Sequence, residues 1–249
     1  MTVGRIQAVL FIAALAAACG GGKQQTTTET AKPVVNPVDP ATAGNVTGKI
    51  TLQGTPPPAQ PITTKSDPNC SQPIKTEEFV VGDGGAFGNV FVYVKDGLGN
   101  RQFPVPSSTV TLGQNNCMYR PHVLGVQVGQ TVDIVNGDAT LHNIHAVPMT
   151  NQEFNTAQPL QGVKNTHVFS AKEIMVPFKC DVHKWMSAFV GVVDHPFFAV
   201  TGPDGTFQLK GLPPGTYTVE AIHEKMGAQT QTVTIGEKET KDVAFTFKI

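Results

Sequence analysis

The sequence contains few charged residues. Asp, Glu, Lys and Arg make up 15% of its 249 residues, and the formal net charge is −1 at pH 7, whereas soluble domains carry about 25% charged residues. A protein that binds nucleic acid needs a basic patch that neutralises phosphates, so this composition argues against a nucleic-acid partner. Hydrophobic residues make up 40% of the chain, too many for a protein that is disordered throughout.

A long hydrophobic run is also missing. A helix that spans a membrane needs about 20 predominantly apolar residues, whereas the apolar stretch at residues 6–18 is only 13 residues long. Arg5 precedes this stretch, and three alanines end it. Residues 1–18 are therefore predicted to be a signal peptide, and the protein is predicted to be exported.

The junction between this segment and Cys19 predicts that the protein is attached to a membrane through a lipid. The small residues directly before Cys19 resemble the cleavage site of bacterial lipoproteins, in which the cysteine is acylated. The alternative is ordinary cleavage, which would release a soluble periplasmic protein. Residues 19–45 contain no aromatic residue and many Thr, Gln and Pro, a composition typical of a flexible tether. We expect a lipoprotein in the periplasm or at the outer surface of a bacterial cell.

Helical periodicity is absent from the remainder. From Gly44 onward, apolar and polar residues alternate with a period of two, and no segment of 10–15 residues shows the 3.6-residue period of a helix. The clearest predicted strand regions are residues 48–54, 89–96, 126–136, 174–180 and 204–222. Strands of this length at this spacing predict an all-β protein with two β-sandwiches.

The chemically informative stretch is the end of one predicted strand. Cys180, His183 and Met186 supply a thiolate, an imidazole and a thioether within seven residues. A second imidazole must come from elsewhere, and both His142 and His145 are candidates. They point to opposite faces of a strand, so both cannot serve one site without a bulge. Two His and one Cys with a weak axial Met suit copper in an electron-transfer site, whereas structural zinc prefers four strong ligands.

The spacing Cys-x2-His-x2-Met, with an upstream His-Asn pair after an Asn-x-Asp turn, resembles the cupredoxins and among them the amicyanins. The resemblance covers residues 105–195 and implies a Greek-key β-sandwich. It implies one type 1 copper with these ligands: His142, Cys180, His183 and, as the axial ligand, Met186. It also implies that Asn143 braces the ligand loop. The resemblance, and not the strand parity, selects His142 over His145.

The same resemblance implies a function. We expect a mononuclear type 1 (blue) copper protein that carries single electrons between periplasmic redox proteins and is not an enzyme. His183 would be the partly exposed ligand through which electrons pass. An apolar docking patch around it would contain Trp185 and residues 147–149. The alternatives are copper storage, delivery or sensing, and a cell-surface binding module that uses the cupredoxin fold as a scaffold.

The remaining histidines argue against other classes of copper protein, and the remaining cysteines predict a disulfide. The other histidines are scattered along the sequence, whereas a copper nitrite reductase or multicopper oxidase would need further histidine clusters. With Cys19 assigned to lipid and Cys180 to copper, Cys70 and Cys117 are left, and a leftover pair in an oxidising compartment predicts a disulfide. The competing interpretation makes Cys180 half of a disulfide and His183 a surface residue.

Residues 197–249 resemble a second family. The segments DGTF (204–207) and GLPPGTY (211–217) are similar to the carboxypeptidase regulatory-like, or transthyretin-like, module. The resemblance implies a smaller sandwich without catalytic residues. Residues 46–104 contain strands that either complete this sandwich, with the copper domain at 105–196 inserted between its halves, or extend the copper domain in tandem order.

Overall fold

The computed structural model describes Met1 and residues 37–249. The predicted signal peptide, Cys19 and most of the predicted tether lie outside the described residues. The regular secondary structure of the described part consists of strands and one 3-10 turn, Asp83–Gly85, so the all-β prediction is confirmed. No helix among the described residues has the length and apolar character needed to span a membrane.

The described residues form sixteen strands. They are β1 (Gly44–Gln53), β2 (Phe91–Asp96), β3 (Val110–Asn115), β4 (Met118–Arg120), β5 (Val123–Gln127), β6 (Thr131–Asn136), β7 (His142–Ala146), β8 (Phe154–Gln158), β9 (Lys164–Val168), β10 (Glu173–Lys179), β11 (Ser187–Val193), β12 (Phe198–Val200), β13 (Thr206–Leu212), β14 (Gly215–His223), β15 (Gly227–Ile235) and β16 (Thr240–Lys248).

Strands from both ends of the described chain form one sandwich, here called the terminal sandwich. Its sheets have the orders β13-β1-β16 and β12-β2-β14-β15. β1 pairs antiparallel with β13 and parallel with β16, and β2 pairs with β14. Strands that precede residues 105–196 thus share sheets with strands that follow them, which is the pairing that an inserted copper domain requires. The core between these sheets includes Val46, Ile50, Val92, Leu209, Tyr217 and Phe245.

Gly48 allows β1 to lie between β13 and β16. A Cβ atom at Gly48 would lie 1.9 Å from the carbonyl oxygen of Val243 and 2.7 Å from the ring of Phe207. Real Cβ atoms do not approach other atoms this closely, so any larger residue would force β1 away from its neighbours. The glycine at position 48 therefore permits β1 to pack between β13 and β16.

The strands in between form the central sandwich. Its sheets have the orders β5-β11-β10-β7-β8 and β4-β3-β6-β9. The two parallel pairs, β5 with β11 and β3 with β6, join strands that are distant or non-consecutive in the chain. The buried core includes Leu112, Val126, Ile134, Ile144, Phe178 and Val190. This topology makes β7 and β10 antiparallel neighbours.

A bulge in β10 separates two sets of apolar side chains. The alternation in the sequence predicts that Ile174 shares a face with Val176, Phe178 and Cys180. The register of β10 shifts between Glu173 and Val176, and the backbone φ of Met175 is +61°. The extra residue resets the alternation. Ile174 therefore packs with a separate cluster around Phe91, Tyr93, Val123 and Val193, which joins the two sandwiches.

The β14–β15 turn also contributes to this junction. His223, the last residue of β14, and Glu224, which directly follows it, both have buried side chains. His223 is buried against the ring of Phe87, with ring centroids 4.3 Å apart. The buried carboxylate of Glu224 lies 2.5 Å from Nε2 of His122. The turn is covered because it packs against the segment between β4 and β5 of the central sandwich.

Candidate metal centre

Three buried side chains converge at one end of the central sandwich. His142 is the first residue of β7, Cys180 directly follows β10, and His183 lies in the loop to β11. They are 0%, 1% and 2% exposed, respectively. Their potential ligand atoms all lie within 4.8 Å of one another. Because β7 and β10 are antiparallel neighbours, the start of one strand meets the end of the other.

The loop that carries two of these residues is closed by its own backbone. The amide N–H of His183 donates to Sγ of Cys180 at 3.3 Å. The N–H of Met186 donates to the carbonyl of His183 at 2.9 Å, and the N–H of Cys180 donates to the carbonyl of Met186 at 3.3 Å. Met186 is fully buried in the core. These bonds return the chain over Cys180 and fix the three residues in one short loop.

The imidazole rings of His142 and His183 approach each other with their Nδ1 atoms. Nδ1 of His142 lies 2.9 Å from Nδ1 of His183. The outer Nε2 of His142 is 3.0 Å from a carboxylate oxygen of Asp138, and that of His183 is 3.0 Å from Asp67. A carboxylate only accepts hydrogen bonds, so each Nε2 donates, and each neutral ring has its lone pair on Nδ1. Two lone pairs at this distance repel unless a proton or a metal ion lies between them.

Electrostatics favour the metal over the proton. Burial lowers the pKa of His142, and the neighbouring His183 lowers it further against the opposing effect of Asp138. The ring is therefore neutral near pH 7, which is the form that binds a metal ion. Metal-bound histidines commonly donate their second N–H to a carboxylate. With Sγ of Cys180 4.0 Å from Nδ1 of His183, one thiolate and two imidazoles form a donor set that fits copper.

Residues 188–248 match the family model of the carboxypeptidase regulatory-like domain. The prediction of a carboxypeptidase regulatory-like segment in the C-terminal part of the chain is thereby confirmed. The match begins in β11, which lies in a sheet of the central sandwich, and continues through the last five strands of the terminal sandwich, β12 to β16. A comparison with curated protein sequences finds no match.

Solved structures similar to this chain include copper proteins. An amicyanin variant in the Cu(I) state is 23% identical, covers 35% of this chain and 85% of its own, and has a TM-score of 0.31. The purple cupredoxin from Nitrosopumilus maritimus is 27% identical, covers 34% and 99%, and has a TM-score of 0.29. The copper-containing nitrite reductase from Thermus scotoductus SA-01 is 20% identical, covers 39% of this chain and has a TM-score of 0.33; the chain spans only 25% of that protein's length.

The cysteines outside the cluster form the predicted disulfide. Cys70 and Cys117 are bonded to each other across 47 sequence positions. Cys180 is free and buried, so among the described cysteines it has no disulfide partner. Cys70 lies in the long connection between β1 and β2, and Cys117 lies in the β3–β4 turn. The disulfide therefore attaches the β1–β2 connection to the central sandwich, which contains His142, Cys180 and His183.

The predicted exposure of His183 is wrong. The connection between β1 and β2 passes over its ring and buries it. A carboxylate oxygen of Asp67 lies 3.0 Å from Nε2, and Sγ of Cys70 lies 3.7 Å from the same atom. Asp67 precedes His183 by 116 positions, and no local pattern in the sequence links the two residues. Sequence reasoning therefore missed Asp67 completely.

The predicted docking patch is also wrong in part. Residues 147–149 follow β7 at the end opposite to His142, and the N–H of Val147 donates to the carbonyl of Pro177. Trp185 does lie beside the cluster, with its ring centroid 5.1 Å from that of His183. Its Nε1 donates to the carbonyl of Cys117 at 3.0 Å. Two exposed apolar residues next to the cluster ligands in sequence are Leu141 and Val182.

Two further side chains tie the ends of β7 and β10 together. Oδ1 of Asn143 accepts a hydrogen bond from the N–H of Asp181, the residue after Cys180. The hydroxyl of the buried Tyr119 donates to the carbonyl of Asn143 at 2.6 Å and to that of Lys179 at 3.1 Å. Asn143 thus braces the start of the ligand loop. Tyr119 fixes the spacing of the two strands, and no pattern in the sequence points to this residue.

Proposed function

We propose that this protein is a mononuclear type 1 copper protein that carries single electrons between redox proteins. The observation that carries the proposal is the pair of Nδ1 atoms 2.9 Å apart beside a free, buried cysteine. His142, Cys180 and His183 would hold the ion, and Met186 from the same loop would supply a weak fourth donor. When bound, copper supplies one-electron chemistry between its Cu(I) and Cu(II) states.

The chain's own residues contribute rigidity. An electron carrier reacts fastest when its ligands keep their positions in both oxidation states. The backbone bonds of the ligand loop, the Tyr119 hydroxyl and the two aspartates hold the ligand side chains from several directions. Preorganised ligands of this kind reduce the rearrangement that accompanies a change of charge. This arrangement favours electron transfer at the site.

Burial supports a carrier over an enzyme. Each of the three convergent ligands is at most 2% exposed. A catalytic metal site keeps a position open to substrate, whereas an electron can cross a thin layer of protein. We therefore infer that redox proteins approach the outer surface of this site and that no substrate binds the ion.

The cellular location in this proposal rests on the sequence. The signal-like residues 1–18 and the lipoprotein-like Cys19 favour export and attachment to a membrane through lipid. The Cys70–Cys117 disulfide agrees with an oxidising compartment. We propose a periplasmic or outer-surface lipoprotein whose partners are redox proteins of the same compartment.

The test is the optical and electron paramagnetic resonance spectrum of the full chain loaded with Cu(II). We expect an intense visible band from thiolate-to-copper charge transfer, and its loss in Cys180→Ser. The matched control is the double variant Cys70→Ser/Cys117→Ser, which retains Cys180 and should retain the band. A loaded wild-type protein without a visible band would contradict the proposal.

The burial of His183 favours one alternative, the storage or delivery of copper. A covered ligand slows the release of the ion and limits direct contact with a partner. Redox titration distinguishes the two functions. A carrier cycles between Cu(I) and Cu(II) at potentials that physiological partners reach, whereas a storage protein remains in the Cu(I) state throughout that range.

A further inference from the structure

The connection between β1 and β2 contains a short ordered turn next to the metal centre. Oδ1 of Asp67 accepts a hydrogen bond from the N–H of Asn69 at 2.8 Å, and the carbonyl of Asp67 accepts one from the N–H of Cys70 at 3.1 Å. The hydroxyl of Thr64 donates to the carbonyl of Cys70 at 2.6 Å. An Asp that bonds to the backbone two residues ahead stabilises a tight turn. We call residues 64–70 the cap.

The cap is fixed to the central sandwich at two points. The disulfide joins Cys70 to Cys117, and Oδ2 of Asp67 accepts a hydrogen bond from the hydroxyl of Thr140. The same oxygen accepts the Nε2–H of His183 at 3.0 Å. No Lys or Arg pairs with Asp67 among the described residues, so its negative charge is directed to the histidine.

The two ligand histidines are therefore held by aspartates of different origin. Asp138 lies in the β6–β7 turn of the central sandwich and also accepts the backbone N–H groups of Asn116 and Cys117. Asp67 comes from the connection that leads into β2 of the terminal sandwich. The backbone N–H of Cys117 donates to Asp138, and that of Cys70 donates to the carbonyl of Asp67. The disulfide between Cys70 and Cys117 therefore links the two aspartates. Each ligand histidine thus has its Nε2–H held by an aspartate, and we call the hydrogen bond between Asp67 and His183 the clamp.

An anion on the outer nitrogen changes the properties of the inner one. A carboxylate that accepts the Nε2–H makes Nδ1 a stronger electron donor and fixes the orientation of the ring. Negative charge near a metal ion also stabilises the state of higher charge. Both effects favour Cu(II) over Cu(I).

We propose that Asp67 is a positioning residue that orients His183 and biases bound copper towards the Cu(II) state. This inference rests on the proposed copper function. It assigns a redox role to a residue of the cap, outside the strands that carry the ligands.

The test is Asp67→Asn in the full, copper-loaded chain. Asn has the same shape and can still accept a hydrogen bond, but it lacks the charge. We expect the thiolate-to-copper band to persist, the affinity for Cu(II) to fall about tenfold relative to that for Cu(I), and the reduction potential to become more positive. Asp67→Glu retains the charge and should give a potential close to that of the wild type.

The matched control is Asp133→Asn. Asp133 lies on β6 of the central sandwich and binds Lys164 and Thr166 at the surface. Loss of its charge should therefore leave the reduction potential of copper unchanged. An Asp67→Asn potential equal to that of the wild type would overturn the inference. A wild-type protein without a visible band would instead overturn the copper function itself, so the two failures are distinguishable.

A measurement on the wild type covers the case in which Asp67→Asn does not fold. Cu(I) is diamagnetic, so proton NMR can observe the ligand rings of the reduced protein. A hydrogen bond to a carboxylate under the cap should give a slowly exchanging, downfield resonance for the Nε2–H of His183. If that proton exchanges as fast as one on an exposed ring, the clamp does not exist and the inference fails.

Discussion

His142 and His145 lie three residues apart on β7 and point to opposite faces of the sheet. His142 is fully buried and faces His183. The ring of His145 lies between Asp181, at 2.9 Å from Nδ1, and Glu153, at 2.7 Å from Nε2. The alternation of side chains along a strand makes it impossible for both rings to reach the same site without a bulge. The structure therefore gives the two histidines different roles.

Substitution of these two histidines should have different consequences. His142→Ala removes one of the two facing Nδ1 atoms, so we expect the visible band of the Cu(II) protein to disappear or to change its energy and intensity. His145→Ala removes only contacts near the surface and should leave the band unchanged. Loss of the band in His145→Ala, with retention in His142→Ala, would reverse the assignment.

Loss of the disulfide should affect both stability and metal retention. The bond between Cys70 and Cys117 closes a long loop and stabilises such a fold by about 3–4 kcal/mol. Without it the cap is held mainly by Asp67. We expect Cys70→Ser/Cys117→Ser to unfold at lower denaturant concentration and to release copper to a chelator several-fold faster than the wild type. Equal release rates would show that the cap does not limit access.

The hydroxyl of Tyr119 should stabilise the metal centre specifically. Tyr119→Phe leaves two buried carbonyls short of a donor and should lower the free energy of unfolding by about 1–3 kcal/mol. Tyr217 is a matched control, because its buried hydroxyl donates to the carbonyl of Pro213 in the terminal sandwich. Both variants should lose stability in urea, but only Tyr119→Phe should alter the copper spectrum. Identical spectra for both would contradict this role.

The position of β1 within the terminal sandwich can be tested at Gly48. Gly48→Val places side-chain atoms where the carbonyl oxygen of Val243 lies, so we expect a loss of about 3 kcal/mol or more, or failure to fold. Gly202→Ala is the control, since a Cβ there meets nothing closer than 3.5 Å. Denaturant unfolding measures both. A stable Gly48→Val protein would show that β1 does not pack between β13 and β16 in solution.

Acid should destabilise the terminal sandwich through His195. Burial lowers the pKa of His195 to about 4, against the opposing effects of its hydrogen bond to Val94 and of Asp194, and Lys172 lowers it further. In the unfolded chain the ring titrates near pH 6.5. Between these values the unfolded state binds more protons, so the free energy of unfolding decreases as the pH falls from about 6.5 to 4, by up to about 3 kcal/mol.

The measurement is a series of denaturant unfolding curves over that pH range. His195→Gln removes the titrating group and should flatten the dependence, whatever its effect at pH 7. Part of the slope should persist in this variant, because burial also lowers the pKa of His223 to about 4. An unchanged slope in His195→Gln would exclude His195 as a cause.

Local patterns in the sequence account for much of the fold and for three of the four proposed metal ligands. Alternating apolar residues predict strands because side chains of a strand point to alternate faces, and this rule fails at Met175 only because a bulge inserts an extra residue. Cys180, His183 and Met186 fall in one short loop, so their proximity follows from the covalent chain. The pairing of Cys70 with Cys117 follows from counting the cysteines that have no other assignment.

The amino-acid sequence by itself determined the strand-rich class, the donor types and the loop that carries Cys180, His183 and Met186, because these depend on neighbours in the chain. Only the tertiary structure decided which face of β7 meets that loop, that Asp67 binds His183, and that the ring is covered. These contacts join residues 38 to 116 positions apart. They exist because two sheets pack and a disulfide holds the cap in place, and neither interaction leaves a local pattern in the sequence.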